Sequence, residues 1–180
     1  MFNFLKRKPK PFSAEEAART IFVVAAHESK QLPTLWARTV TAEEQYELLL
    51  EYAMFLLYGI DVLAYATYGD PVRAALMKQV LLHLLKKFTS VAEAESAAIV
   101  SDFNSAFDLA FQQYARSKSI MGEDSLVVAA TLRVSVILRS EDCTENNVMA
   151  GYEATLTSLQ NSFIAVLTID PFQALSKSAV

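Results

Sequence analysis

The acids and tyrosines between Thr41 and Tyr68 recur in one helical register, within a stretch that is otherwise apolar. Steps of three and four residues alternate along this register, and at about 100° per residue they place every member on one face of an α-helix. With one methionine, the members are Glu44, Glu47, Glu51, Met54, Tyr58, Asp61, Tyr65 and Tyr68. A helix this apolar must be largely buried, so its acids need partners inside the protein.

Helical spacing of apolar residues continues along the rest of the chain and predicts an all-α protein. Breaks at Gly69-Asp70-Pro71, at Gly122 and at Asp170-Pro171 separate the helical segments. The predicted helices span residues 14–30, 42–68, 72–88, 91–117, 123–140 and 145–168, with a short turn near 34–38. We therefore expect a bundle of five to six helices, with the helix near 42–68 at its centre, in a single domain over residues 13–170.

Three of these helices are preceded by the S/T-x-x-E spacing of a capping box. In this motif the hydroxyl accepts a hydrogen bond from the backbone N–H three residues on, while the glutamate accepts one from the cap N–H. The three boxes are Ser13 with Glu16, Thr41 with Glu44, and Ser90 with Glu93. Together they predict helix starts just after residues 13, 41 and 90.

Two segments also fit a β interpretation. Residues 131–139 alternate between polar and apolar side chains, interrupted only by Ile137, and residues 163–169 are rich in β-branched residues. The alternative fold is therefore α+β, with a small sheet formed by 131–139 and 163–169. We prefer buried helices because the surrounding sequence is helical.

The second and third predicted helices carry opposite charges. Residues 42–68 contain no Lys or Arg, and residues 72–88 contain no Asp or Glu. A tight turn at 69–71 would fold the two helices antiparallel and bring the unlike charges together. The expected pairs are Asp61 with Lys78 or Gln79, and Glu51 with Lys87 or its neighbours. Where such pairs are partly buried, they would fix the register of this hairpin.

Composition limits the class of protein. The chain has 180 residues, 53% of them hydrophobic, and only four glycines and five prolines, which favours helices in one domain. One cysteine cannot form an internal disulfide, so nothing indicates an oxidising compartment. The segment near 46–68 is long enough to span a membrane, but Glu47, Glu51 and Asp61 would each be costly there, so we expect no transmembrane helix.

The two ends of the chain are expected to lie outside the bundle. Residues 1–12 contain four basic residues and no acid, and we interpret them as a basic flexible tail. The alternative is contact with an anionic membrane surface. That contact would be made by Phe2, Phe4, Lys6, Arg7 and Lys8. Residues 171–180 follow a proline break and are predicted to be loosely ordered.

No pattern in the sequence defines a reaction. The two histidines, His27 and His83, have valine three positions earlier, so the Glu-x-x-His motif of di-iron bundles is absent. Neither a G-x-S-x-G motif nor a phosphate-binding glycine loop occurs. Cys143 has acidic neighbours, which make a thiol a poorer nucleophile. We therefore expect no cofactor and no metal, and the formal charge of −4 disfavours nucleic acid as a partner.

The leading interpretation is a non-catalytic cytoplasmic helical-bundle protein that acts through protein–protein association, including self-association. Its basis is the apolar excess, because apolar surface that one domain cannot bury marks an interface. The alternative is a bundle that binds a hydrophobic small molecule or lipid, and a carboxylate-dependent enzyme is less favoured. The candidate ligand- or partner-binding residues are Glu51, Tyr58, Asp61, Tyr65, Phe103, Phe107 and Phe111.

Overall fold

The fold was examined in a computed structural model, which describes residues 13–95, 125–139 and 145–168 and the single positions 109 and 112. The helices in these ranges are α1 (Ala14–Leu35), α2 (Ala42–Tyr68), α3 (Asp70–Glu95), α4 (Ser125–Leu138) and α5 (Glu145–Thr168). No strand occurs within the described ranges. The all-α prediction is confirmed.

The central position predicted for α2 is also confirmed, because α2 contacts each of the other four helices. Fifteen of its residues are buried, and it supplies twelve of the 26 buried hydrophobic residues of the described core, more than any other helix. Among the largest fully buried side chains are Tyr52, Phe55, Leu56, Leu57 and Ile60 of α2, with Ile21 and Leu32 of α1 and Leu84 and Phe88 of α3. Burial of this apolar surface is the main favourable term in folding.

By length and composition alone, α2 is the one helix in the described part of the chain that could cross a membrane. Its most apolar 18-residue window is 78% buried inside the bundle. A core helix passes this test for the same reason that it packs well, which is a nearly continuous apolar surface.

The alternative with a small sheet is wrong. Residues 131–138 belong to α4 and residues 163–168 belong to α5. The hydroxyls of α4 explain how the alternating segment becomes helical: Thr131 donates to the carbonyl of Val127, and Ser135 donates to that of Thr131, each over 2.7 Å. These bonds satisfy the polar side chains within the helix. Its buried positions, including Ala130, Val134 and Leu138, then recur every four residues and face the core.

Two of the three predicted caps form. Ser13 accepts from the N–H of Glu16, and Thr41 and Glu44 make a complete capping box with hydrogen bonds of 3.2 and 2.8 Å. The box predicted at Ser90 is wrong, because α3 continues without a break to Glu95. The Ser90 hydroxyl donates instead to the carbonyl of Lys86, so it is satisfied inside the helix.

A chain of buried polar groups connects α1, α2 and α5. The hydroxyls of Tyr52 and Ser158 are 2.8 Å apart, and Ser158 donates to the carboxylate of Glu28 over 2.7 Å. Because Ser158 gives its proton to Glu28, Tyr52 must be the donor to Ser158. Burial raises the pKa of Tyr52 and keeps its hydroxyl protonated. This chain specifies how three helices meet, which apolar contacts alone do less sharply.

Candidate functional site

The two buried acids of α2, Glu51 and Asp61, have partners in the bundle, as their burial requires. Glu51 pairs with Arg133 of α4, whose Nε donates to Oε2 over 2.7 Å and whose Nη2 donates to Oε1. The predicted pairing of Glu51 with Lys87 is wrong. The reason is that α3 packs more extensively on α1 than on α2, which leaves this part of α2 facing α4. The planar guanidinium of α4 then binds both carboxylate oxygens, which a lysine cannot do.

Asp61 pairs with the third helix, but not in the predicted register. Arg73 donates to both oxygens of Asp61, over 2.8 and 3.0 Å, and also to Asp70 over 2.6 Å. Lys78 and Gln79, the predicted partners, are exposed. Hydrogen bonds to Asp61 raise the pKa of Arg73. Because Arg73 lies in the first turn of α3, its long side chain reaches back to α2 across the turn at Gly69.

The predicted stripe on α2 is therefore buried at its middle and exposed at its end. Glu51, Tyr58 and Asp61 are each at most 7% exposed, whereas Tyr65 is 58% exposed. Burial raises the pKa of Tyr58, with a further contribution from the charge of Asp61. These four residues share a helix face but not an open surface. The other candidates, Phe103, Phe107 and Phe111 and the proposed membrane contacts Phe2, Phe4, Lys6, Arg7 and Lys8, lie outside the described residues and stay predictions.

The end of α2 and the start of α3 form an exposed apolar surface, which we call the α2–α3 tip. Tyr65 and Val72 are more than half exposed, and Tyr68 is 36% exposed. The tip consists of Tyr65, Ala66, Tyr68, Pro71, Val72, Ala74 and Ala75, all exposed, around the linking residue Gly69. Gly69 has a φ of 73°, which favours glycine because it has no Cβ.

Ion pairs give the α2–α3 tip a defined shape. The guanidinium of Arg73 bridges Asp61, on the last turns of α2, and Asp70, on the first turn of α3. It also lies 6.0 Å from the centre of the Tyr65 ring, within the range of a cation–π contact. An apolar surface on a preorganised turn loses less entropy on association than one on a mobile loop.

The sequence analysis predicted Tyr65 as a candidate binding residue but none of the other residues of the tip. A signal for it was present in the sequence. The apolar residues Val72, Ala74, Ala75 and Leu76 occupy nearly consecutive helical positions, so they point in several directions. A helix packed on one side cannot bury all of them.

A second feature lies near the start of α2, where a cavity of about 160 Å³ is lined by residues of α1, α2 and α3. Tyr46 lines this cavity, and its ring packs edge-on against Phe88 at 5.8 Å between ring centres. Among the described residues, the Tyr46 hydroxyl is the buried side-chain polar atom without a hydrogen-bond partner. Nothing in the sequence distinguished Tyr46, because a single tyrosine at the start of an apolar helix is predicted to be an ordinary core residue.

The described residues contain no group of three or more His, Cys, Asp or Glu side chains placed to hold a metal ion. Glu51 and Asp61 of α2 instead pair with arginines of α4 and α3, and Glu44 pairs with Arg38 in the segment between α1 and α2. In the described ranges, Glu51 and Asp61 thus have a structural role, while the α2–α3 tip is exposed and Tyr46 lines a cavity.

Fold and site together define the class as an all-α helical bundle built around one apolar helix. A comparison with models of known protein families finds no match. Searches of curated proteins and of solved structures find no match either.

Proposed function

We propose that this chain is a non-catalytic, cytoplasmic helical-bundle protein that associates with a second copy of itself through the α2–α3 tip. The observation that carries the proposal is the exposure of apolar residues at the tip, with Tyr65 58% and Val72 55% exposed. Seven exposed apolar residues within eleven positions around one turn indicate a protein interface more than single exposed residues do. Tyrosines add to this, because they are enriched where two proteins meet.

The charges around the tip favour a second copy as the partner. Asp70 and Lys78 lie equally far on either side of Ala74, and all three are exposed on α3. In an antiparallel pairing of two α3 helices centred on Ala74, Asp70 of each copy lies opposite Lys78 of the other. Such a contact is self-complementary, as a two-fold interface requires. Small side chains at Ala74 and Ala75 allow the two helices to approach closely.

The experiment is to measure self-association by sedimentation velocity over a range of concentrations, for the wild type and two variants. Ala74→Glu places a carboxylate at the centre of the proposed α3 contact, and Ala165→Glu is its matched control on α5, because both alanines are exposed helix positions. We expect a dimer for the wild type and for Ala165→Glu. Ala74→Glu should weaken association at least about tenfold, since the two new carboxylates would face each other at the centre of the interface.

Three results would contradict this proposal. One is a wild type that stays monomeric at every concentration. Another is dissociation by Ala165→Glu while Ala74→Glu still dimerises, which would move the interface to α5. The third is a monomer that co-sediments with anionic vesicles and loses that binding in Ala74→Glu, which would make the tip a membrane-contact surface.

A further inference from the structure

A shallow basic groove, which we call the α1–α3 groove, lies between α1 and α3. The described residues that line it are Glu15, Phe22, His83, Lys86, Lys87, Ser90 and Val91. Lys86 is exposed and Lys87 is half-buried. Neither lysine forms an ion pair in the described part of the chain. Because Glu15 is the one acid in this lining, the groove carries a local excess of positive charge.

The basic character of the groove comes from the sequence of α3, which contains no acid between Asp70 and Glu93. Arg73 is neutralised at the start of the helix, where two aspartates accept its hydrogen bonds. No described carboxylate neutralises Lys86 and Lys87 in the same way. Their charges therefore remain available to an anionic partner outside the bundle.

Both helices that border the groove also expose a large apolar side chain one turn from a basic residue. On α3, Leu82 is 45% exposed and precedes Lys86 by four positions. On α1, Val23 is 56% exposed and follows the exposed Arg19 by four positions. Residues four apart share a helix face. Exposed cations beside exposed apolar side chains are the combination that holds a protein at the surface of an anionic membrane.

The start of α1 brings a second basic segment to the same place. Ser13 caps α1, and Glu15, two residues later, lines the groove. Residues 1–12 are therefore attached to the bundle beside the α1–α3 groove, and they contain four basic residues and no acid. Each Lys or Arg near an anionic membrane adds to binding, so the groove and this segment together bind more tightly than either alone.

The negative net charge of the chain does not oppose such a contact, because the described charges are separated. Glu47 and Glu51 line a groove between α2 and α4, and Glu153 lines one between α1 and α5. None of these acids lines the α1–α3 groove. Salt screens charges beyond a Debye length of about 8 Å, so the local surface decides the contact rather than the net charge.

We propose that the α1–α3 groove and residues 1–12 together bind the surface of an anionic phospholipid membrane. Lys86 and Lys87 contact the lipid headgroups, while Leu82 and Val23 enter the boundary between headgroups and acyl chains. This inference concerns a different surface from the α2–α3 tip and does not rest on self-association.

The test is co-sedimentation of the full chain with vesicles, either of phosphatidylcholine alone or of phosphatidylcholine and phosphatidylserine in equal parts. We expect binding to the second kind only, and its loss as salt is raised. Lys86→Glu should weaken it at least about tenfold, because it replaces an attraction by a repulsion. Arg139→Glu is the matched control, since it makes the same change of charge at an exposed position after α4 and should bind as the wild type does.

A second pair of variants tests the apolar part of the contact without changing any charge. Leu82→Ser should weaken vesicle binding severalfold, because less apolar surface enters the membrane. Ile164→Ser is its control on α5, where Ile164 is 60% exposed, and it should bind as the wild type does. Melting temperatures of all four variants should stay close to that of the wild type, since the positions are exposed. If Lys86→Glu alone lowers the melting temperature, Leu82→Ser decides.

Four results would overturn the proposal. Equal binding to vesicles without phosphatidylserine would remove the role of charge. Equal weakening by Lys86→Glu and Arg139→Glu would show that only net charge matters. Loss of binding in Lys8→Glu but not in Lys86→Glu would assign the contact to residues 1–12 alone. Loss in Ala74→Glu but not in Lys86→Glu would assign it to the α2–α3 tip, whereas we expect Ala74→Glu to keep binding.

Discussion

Trp36, the only tryptophan, is positioned by two contacts with α5. Its Nε1 donates to the Thr155 hydroxyl over 3.0 Å, and its ring lies directly on Gly151. A Cβ at position 151 would be 2.5 Å from two carbon atoms of the ring, which is far inside van der Waals contact. Gly151 is therefore required by the close approach of α5 to the indole, and not by its backbone conformation.

Gly151→Ala should destabilise the fold by about 2 kcal/mol, because overpacking costs more than the helix propensity that alanine gains. Gly59→Ala is the matched comparison. A Cβ there would be 2.4 Å from the edge of the Phe163 ring, but Phe163 is only half-buried and can turn away. Urea denaturation followed by the fluorescence of Trp36 measures both. Equal destabilisation by Gly151→Ala and Gly59→Ala, or a Gly151→Ala variant more stable than the wild type, would show that the Trp36 indole is free to move.

Two glutamates in the first turns of α2 should respond to pH with opposite signs. Burial and the charges of Glu43, Glu44 and Glu51 raise the pKa of Glu47, so its stabilising contribution is lost as pH rises through the folded-state pKa. The hydrogen bond from the Thr41 N–H lowers the pKa of Glu44, so its contribution is present above the ordinary value of 4.5 and is lost in acid.

At pH 7, Glu47→Gln should therefore stabilise the protein and Glu44→Gln should destabilise it, each by less than about 1 kcal/mol because both side chains are partly exposed. Below the ordinary pKa of 4.5, both differences should shrink towards zero. Urea denaturation at a series of pH values measures them. The same sign for both variants at pH 7 would contradict the assignment.

At the scale of elements, α3 departs most from the expected hairpin. It is longer than predicted, and it packs more extensively on α1 than on α2. The two helices do carry opposite charges, as the sequence shows. Among the described residues, however, only Arg73 forms an ion pair between α3 and α2. Lys86 and Lys87 instead line a groove with Phe22 and Glu15 of α1.

Asp61 and Asp70 show how burial changes the contribution of an ion pair to stability, because both pair with the guanidinium of Arg73. The Asp61 side chain is 9% exposed and that of Asp70 is 68% exposed. Asp61→Asn should cost about 3 kcal/mol, since it leaves Arg73 without its buried counter-charge. Asp70→Asn should cost no more than about 1 kcal/mol, as for an exposed pair. Urea denaturation at equal protein concentration measures the loss of unfolding free energy in each variant. Equal losses in Asp61→Asn and Asp70→Asn would show that the Asp61 pair is effectively solvated.

At the scale of the whole molecule, the bundle assigns different roles to different parts of one helix. The middle of α2 is surrounded by the other helices, where Glu51 and Asp61 each find an arginine. Its last turns leave the core and form the α2–α3 tip, and its first turns line the Tyr46 cavity. The core and the proposed interface thus follow from where the neighbouring helices lie along α2.

Much of the architecture was predictable because it depends on local physics. The bounds of α2 match the prediction to the residue, since apolar periodicity and strong breaks act over a few residues. The burial of α2 followed from its composition, and the need for partners followed from that burial. The prediction of a capping box at Ser90 was wrong because a serine hydroxyl can do either of two things locally. It can cap a new helix, or it can donate a hydrogen bond to a carbonyl of the existing helix.

The sequence by itself determined an all-α bundle, its central helix and the need to neutralise the acids of that helix. Only the tertiary structure decided that Arg133 and Arg73 neutralise them, that the tip stays exposed, and that the Tyr46 hydroxyl is buried without a partner among the described residues. The physical reason is the distance along the chain over which each kind of interaction acts. Helix formation and capping are decided within one or two turns, whereas pairing and burial depend on the packing of residues as far apart as Glu51 and Arg133, which no local pattern records.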